Sequence, residues 1–152
     1  FINIFMNKIF FLIKVSIFCL FLITNATAKE EKYLKKGIDL FNKKEFDKSK
    51  ILFERDIVFD PKSEKSYLYL AKIFNKKDND EEQEINLNNV LLLNPQNDEA
   101  IYMLALLKIK QSNFSEAKSL MDQLMLVCKS FCSKEDEIQE KLKKLTPKDE
   151  QN

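Results

Sequence analysis

Cys128 and Cys132 are the residues of this chain whose type and spacing point most directly to chemistry. Two thiols four residues apart could form a disulfide, stay as free thiols, or act as a redox or copper pair. On a continuous helix that spacing holds the Cβ atoms about 5–6 Å apart, whereas a disulfide needs roughly 3.5–4.5 Å. A bond therefore requires the chain to bend at Lys129-Ser130-Phe131. A copper site of this kind normally draws a third ligand from His, and the sequence contains none. Thioredoxin-type exchange uses Cys-x-x-Cys on a βαβ background, and neither is present. The same lack of His removes Ser-His-Asp and Cys-His catalysis and any His-containing zinc site. A single Gly leaves no glycine-rich phosphate loop. The acidic run at residues 78–84 lacks the ligand spacing of a calcium loop and reads as a solvated helix start. The expectation is a chain with no catalytic residue, no metal and no cofactor.

The elements that must position the cysteines follow from composition and periodicity. With 1 Gly and 3 Pro in 152 residues there is little material for the turns of an all-β fold. Apolar residues make up 45% and charged ones 32%, enough of the former for one packed domain. A formal net charge of +1 argues against a nucleic-acid partner, which calls for a basic surplus.

Residues 1–28 read as an address. Met6-Asn7-Lys8 is a short positive segment, and Met6 is a candidate start in a sequence that opens on Phe1. Residues 9–23 are apolar apart from Lys14 and Ser16, and Ala26-Thr27-Ala28 is a small-x-small cleavage pattern. Together they predict a secretory signal peptide cut after Ala28. After Lys14 the apolar run is short of the ~20 residues that span a bilayer, so an inner-membrane anchor through residues 9–23 is the alternative. Cys19 would leave with the peptide. The expected compartment is the bacterial periplasm, where an even pair of cysteines reads as a disulfide; membrane contact is expected only through the signal segment if it stays uncleaved.

Residues 29–152 repeat. Val58-Phe59-Asp60-Pro61 and Leu92-Leu93-Asn94-Pro95 lie 34 residues apart, and Lys129 takes the proline slot one period later. Each period holds two stretches with helical apolar spacing. Tyr33, Leu34, Ile38 and Phe41 precede Phe46, Ile51, Phe53, Ile57 and Val58; Tyr67, Leu68, Leu70, Ala71 and Phe74 precede Ile85, Leu87 and the run from Val90 to Leu93; Ile101, Leu104, Ala105, Leu107 and Ile109 precede Phe114, Ala117, Leu120, Met121, Leu124 and Met125. Polar breaks separate the two stretches at residues 42–44, 75–80 and 111–113, while Ser63, Asn97 and Asn113 are N-cap candidates. Six helices in three antiparallel pairs are expected. Ser133 is placed to cap a last helix over residues 134–145, with Ile138, Leu142 and Leu145 as its apolar stripe and a tail at 146–152.

This pattern resembles the tetratricopeptide repeat. Its slots are filled by Tyr33, Gly37, Leu40, Phe46, Ser49, Phe53, Asp56 and Pro61 in residues 30–63, by Tyr67, Ala71, Phe74, Asp80, Gln83, Leu87, Val90 and Pro95 in 64–97, and by Ile101, Ala105, Lys108, Phe114, Ala117, Met121, Leu124 and Lys129 in 98–131. Asp56 and Gln83 stand where small residues are usual, and Asp80 where an aromatic is. The resemblance implies an all-α fold: three helix-turn-helix repeats stacked as a short right-handed solenoid with a C-terminal capping helix. A similar Cys pair after the last repeat is familiar from small exported bacterial proteins of this type.

The resemblance also implies a concave surface lined by the first helix of each pair. Its partner-binding candidates are Leu34, Ile38 and Phe41, then Lys65, Leu68, Lys72, Asn75 and Lys76, then Tyr102, Leu106 and Ile109. A basic, amide-bearing centre with apolar flanks suits a peptide that is acidic in its middle. The expected function is a non-enzymatic adaptor for a protein or peptide. The rivals are a structural or assembly subunit of a cell-envelope complex and a thiol redox protein using Cys128 and Cys132.

Overall fold

In a computed structural model of the chain, residues 32–145 are described, together with Ile13, Lys14 and Ser16. The expected signal peptide, apart from those three residues, and the tail at 146–152 lie outside the described residues. Within residues 32–145 seven α-helices follow one another: α1 (residues 32–42), α2 (Phe46–Phe59), α3 (Glu64–Lys76), α4 (Asp80–Leu93), α5 (Asp98–Lys110), α6 (Phe114–Val127) and α7 (Glu135–Leu145), the last preceded by a 3₁₀ turn at Cys132–Lys134. No strand occurs among the described residues. The chain divides into two compact units at Asp60–Pro61.

One device joins the helices within each pair. Lys44, Asp78 and Ser112 have φ of 62°, 52° and 61°, and they recur every 34 residues. Each sits just past a helix end. The N–H of the next residue reaches back to the fifth residue before it: Glu45 to Leu40 at 2.9 Å, Asn79 to Phe74 at 3.0 Å and Asn113 to Lys108 at 2.8 Å. The left-handed residues donate to Phe41, Asn75 and Ile109. This double bond pattern satisfies the last carbonyls of α1, α3 and α5. The residue that closes each cap is also the N-cap of the following helix. Asn79 and Asn113 accept from the N–H of Glu82 and Glu116 through their side chains, both at 3.2 Å. Asn97 caps α5 in the same way, accepting from Ala100 at 2.8 Å. Ser63 stands at the N-cap of α3 without a side-chain capping bond.

In the first unit, α1 and α2 meet over Gly37. A Cβ placed there would lie 2.7 Å from the ring of Phe53, which is fully buried. Ser49 donates its hydroxyl to the Gly37 carbonyl at 2.8 Å. Tyr33 stacks on Phe59 with ring centroids 5.6 Å apart, and Phe41 meets Phe46 edge-on at 5.4 Å. In the second unit one core cluster runs from Ala71, Leu87 and Val90 through Ile101, Leu104 and Ala105 to Ala117, Met121, Leu124 and Ile138. Ala71 and Ala105 fill the slot that Gly37 fills in the first pair.

Three expectations need correction. Val58, Leu92 and Leu126 end their helices with 76%, 81% and 86% of their surface exposed, so Val58 and Leu92 do not belong to a buried stripe. Ser133 does not cap the last helix; it lies inside the 3₁₀ turn, and α7 begins at Glu135. Of the α7 stripe, Ile138 is fully buried and Leu142 packs on the core, but Leu145 is 56% exposed. Gln83 and Asp56, in slots where small residues are usual, are accommodated as buried polar residues, and no buried side-chain polar atom among the described residues lacks a hydrogen-bond partner.

Two substitutions check this account. Gly37→Ala improves intrinsic helix propensity, yet it should destabilise the protein by about 1–3 kcal/mol because the Phe53 ring cannot withdraw from a packed interior. Ser112→Gly should stabilise by roughly 1 kcal/mol, since glycine adopts the left-handed conformation without the steric cost other residues bear. Thermal and urea unfolding of the two variants gives both signs.

Candidate partner-binding face

Helix periodicity brings Lys65, Leu68, Lys72 and Asn75–Lys76 onto one stripe of α3, and Tyr102, Leu106 and Ile109 onto one stripe of α5. The two stripes are tied together by an ion pair. Lys72 Nζ lies 2.9 Å from both carboxylate oxygens of Glu99, the second residue of α5, and 4.9 Å from the centre of the Tyr69 ring. Both partners are only partly exposed, so screening is reduced but the pair remains a modest contributor. Lys72 thus holds the face together and is not a spare charge. Lys65 and Lys76 are exposed and carry no ion pair among the described residues, and Asn75 is exposed beside them. Leu68 and Leu106 are half-buried, packed against the core cluster.

Two of the α5 candidates differ from expectation. Ile109 is buried at 6% exposure and belongs to the core. Tyr102 is covered by the C-terminal segment. Its ring lies 5.4 Å from that of Phe131, Lys134 Nζ sits 5.8 Å from its centroid, and its hydroxyl donates to Glu137 Oε2 at 2.9 Å. Burial and the adjacent Glu137 carboxylate push the Tyr102 phenol up to about 12, so it stays a donor. The hydrogen bond from Tyr102, followed by that from Lys134, lowers Glu137 in turn. The face accessible on α3 and α5 therefore centres on Lys65, Leu68, Asn75, Lys76 and Leu106. Leu34, Ile38 and Phe41 lie in the first unit, where all three are half-buried.

Behind the face, α5 is locked to its neighbours by a buried ammonium. Lys108 fills a slot where the repeat pattern uses an aromatic, and it is 7% exposed. Its Nζ lies 2.6 Å from Glu84 Oε1 of α4 and 3.2 Å from Glu116 Oε2 of α6, while Gln111 donates to the other Glu84 oxygen at 2.9 Å. Burial works against the Lys108 charge, but the bonds to Glu84 and Glu116 outweigh it and raise the pKa. The hydrogen bond from Lys108, then that from Gln111, hold Glu84 below its ordinary value.

Cys128 and Cys132 are disulfide-bonded, with Cα atoms 5.2 Å apart. The bend that makes this possible is gathered by Asp98 at the start of α5, whose Oδ2 accepts the N–H groups of Lys129, Ser130 and Phe131. Sequence reasoning missed Asp98, since an acid in the first turn of a helix is already explained by the helix dipole. It also missed Phe131 and Glu137 as covers for Tyr102, contacts of long sequence separation that no local pattern signals. Among the described residues no cluster of His, Cys, Asp and Glu could hold a metal, and no helix is long and apolar enough to cross a membrane.

Replacing Lys108 leaves Glu84 and Glu116 facing each other without their shared cation. Lys108→Ala should cost about 1–3 kcal/mol, less than a fully buried pair because both carboxylates are partly exposed. The pH dependence follows from Glu84: its folded pKa is lowered, so its contribution is complete above about pH 4.5 and is lost as pH falls below that. Acid unfolding of Lys108→Ala should show a smaller loss of stability over that window than the parent protein.

The sequence matches no protein-family model and no curated protein. Solved structures do match. The Yersinia enterocolitica type III secretion chaperone SycD, in complex with a peptide of the translocator YopD, is similar with a TM-score of 0.69 at 11% identity, over 79% of this chain and 94% of that one. The TPR2B domain of yeast Sti1, in a pHsp70 complex, has a TM-score of 0.70 at 17% identity, over 76% and 97%. The first TPR of Spaghetti (RPAP3), bound to the HSP90 peptide SRMEEVD, has a TM-score of 0.68 at 14% identity, over 78% and 94%. Paired helices recurring at 34 residues, the small residues at their crossing and these three likenesses agree: the chain has the tetratricopeptide-repeat fold.

Proposed function

We propose that this chain is a non-catalytic interaction module that binds a peptide or protein partner on the α3–α5 face. The observation that carries the reading is the stripe of Lys65, Asn75 and Lys76, exposed and without ion pairs among the described residues, beside the half-buried Leu68 and Leu106. Apolar side chains supply burial, and the two free ammonium groups supply register and on-rate toward an acidic segment. The structural neighbours in complex with peptides of YopD and HSP90 support this use of the fold. The site of action we propose is the bacterial periplasm. Residues 1–28 have the composition of a signal peptide, and the Cys128–Cys132 bond suits an oxidising compartment.

A second reading is that of an assembly subunit docking through the outer helices. It is favoured by Leu92 at the end of α4 and Leu126 at the end of α6, both more than four-fifths exposed. The thiol-redox reading draws no such support, because Cys128 and Cys132 are bonded to each other and their loop is held by Asp98.

Pull-down from periplasmic extract separates the first two. With Lys65 and Lys76 both changed to Glu, a stoichiometric partner should be lost, with affinity falling at least tenfold; with Leu92 and Leu126 both changed to Glu it should be retained. The reverse result would retire the α3–α5 face in favour of the assembly reading. Lys72 is left unchanged in this test because reversing it would break the pair with Glu99.

A further inference from the structure

The first residue of α5 holds the loop that the disulfide closes. Asp98 Oδ2 accepts from Lys129 N–H at 2.7 Å, Ser130 N–H at 2.6 Å and Phe131 N–H at 3.1 Å. These are all the residues between Cys128 and Cys132. Three successive N–H groups converging on one oxygen curl the backbone into a concave anion-binding turn. The helix α6 stops accordingly: Cys128 leaves it with φ −59° and ψ 143°. Were the helix to continue, the same N–H groups would bond to carbonyls one turn earlier, and the cysteine Cβ atoms would stand about 5–6 Å apart, beyond bonding reach. Burial opposes the Asp98 charge, but these backbone N–H groups outweigh it and lower its pKa, so the carboxylate remains ionised where it is needed.

We propose that Asp98 is a positioning residue for the Cys128–Cys132 couple: by gathering the intervening backbone it holds the two sulfurs together and shifts the thiol–disulfide equilibrium toward the bond. Reduction by a monothiol such as glutathione breaks the Sγ–Sγ bond. Each cysteine sulfur gains one electron and one proton, and two glutathione thiols are oxidised to glutathione disulfide. The coupling is reciprocal. What Asp98 adds to the stability of the bond, the bond adds to the grip of Asp98 on the loop. The loop in turn carries Phe131 onto Tyr102, so the redox state of the couple reaches α5 at Tyr102. This inference rests on the loop geometry alone and stands whether or not the α3–α5 face binds a peptide.

The test is a titration of the full chain in glutathione redox buffers, with Cys19→Ala throughout so that only the couple titrates, and the oxidised fraction read by thiol alkylation and mass spectrometry. Asp98→Asn should lower the equilibrium constant for bond formation by about tenfold or more, a rise of about 30 mV in potential. Glu84→Gln, which loosens α5 from α4 without touching the loop, should leave the constant within twofold of the parent. An Asp98→Asn protein that titrates like the parent overturns the proposal, and so does a Glu84→Gln protein that shifts equally. Should Asp98→Asn lose its helical circular dichroism, Asp98→Ser takes its place, keeping an oxygen acceptor at the helix start without the charge, under the same two criteria.

Discussion

Paired helices in this chain approach one another over a position that leaves almost no room for a side chain. At Gly37 the ring of Phe53 occupies the space a Cβ would need. The equivalent Ala71 and Ala105 are fully buried, as part of the core shared by α3 through α7. Close approach is what lets two amphipathic helices bury a continuous apolar strip; in the second unit the strip is too wide for one pair to cover alone, so α4 offers a surface to α5 of the following pair. Once the crossing is fixed, the rest is constrained. The hairpin between the helices has to be minimal, the large residues one turn away fill the remaining gap, and the last pair needs a lid. In the second unit that lid is α7, which inserts Ile138 fully into the core and lays Leu142 against it.

Legibility in the sequence followed the range of the interactions. The helix pairs could be read because their apolar spacing is local and because Pro61 and Pro95 mark the same point of successive periods. The caps at Asn97 and Asn113 were equally readable, since capping is settled within three residues. Other features were not. Nothing local to Lys108 signals its role in an aromatic slot, because Glu84 and Glu116, which close on its ammonium, come from two other helices. Tyr102 had the right register for an open face, and its cover came from Glu137, thirty-five residues on. Val58 and Leu92 carried the apolar signal of a core residue while sitting at solvent positions. Hydropathy reports what a residue would prefer, and only the three-dimensional packing decides whether it is granted.

The fifth helix bears a disproportionate share of the structure. Its first residue organises the disulfide loop, its second anchors Lys72 of α3, its middle carries Tyr102 under the C-terminal segment, and its last turns place Lys108 between two carboxylates. One face of the helix is therefore structural in several independent ways, and the part left to a partner is narrow. This explains why the α3 side, with Lys65 and Lys76 unpaired among the described residues, is the more open half of the candidate face.

The three hairpins carry a consequence of a different kind. In each, the residue that closes the cap of one helix already opens the next, so Glu45, Asn79 and Asn113 belong to both. There is no slack between the partners. One residue added or removed there would turn the second helix by about 100° about its axis, since 3.6 residues complete a turn, and would aim its apolar strip into solvent. The hairpins act as a reading frame for the helices, in which substitutions are tolerated residue by residue but a change of length garbles everything downstream within the pair.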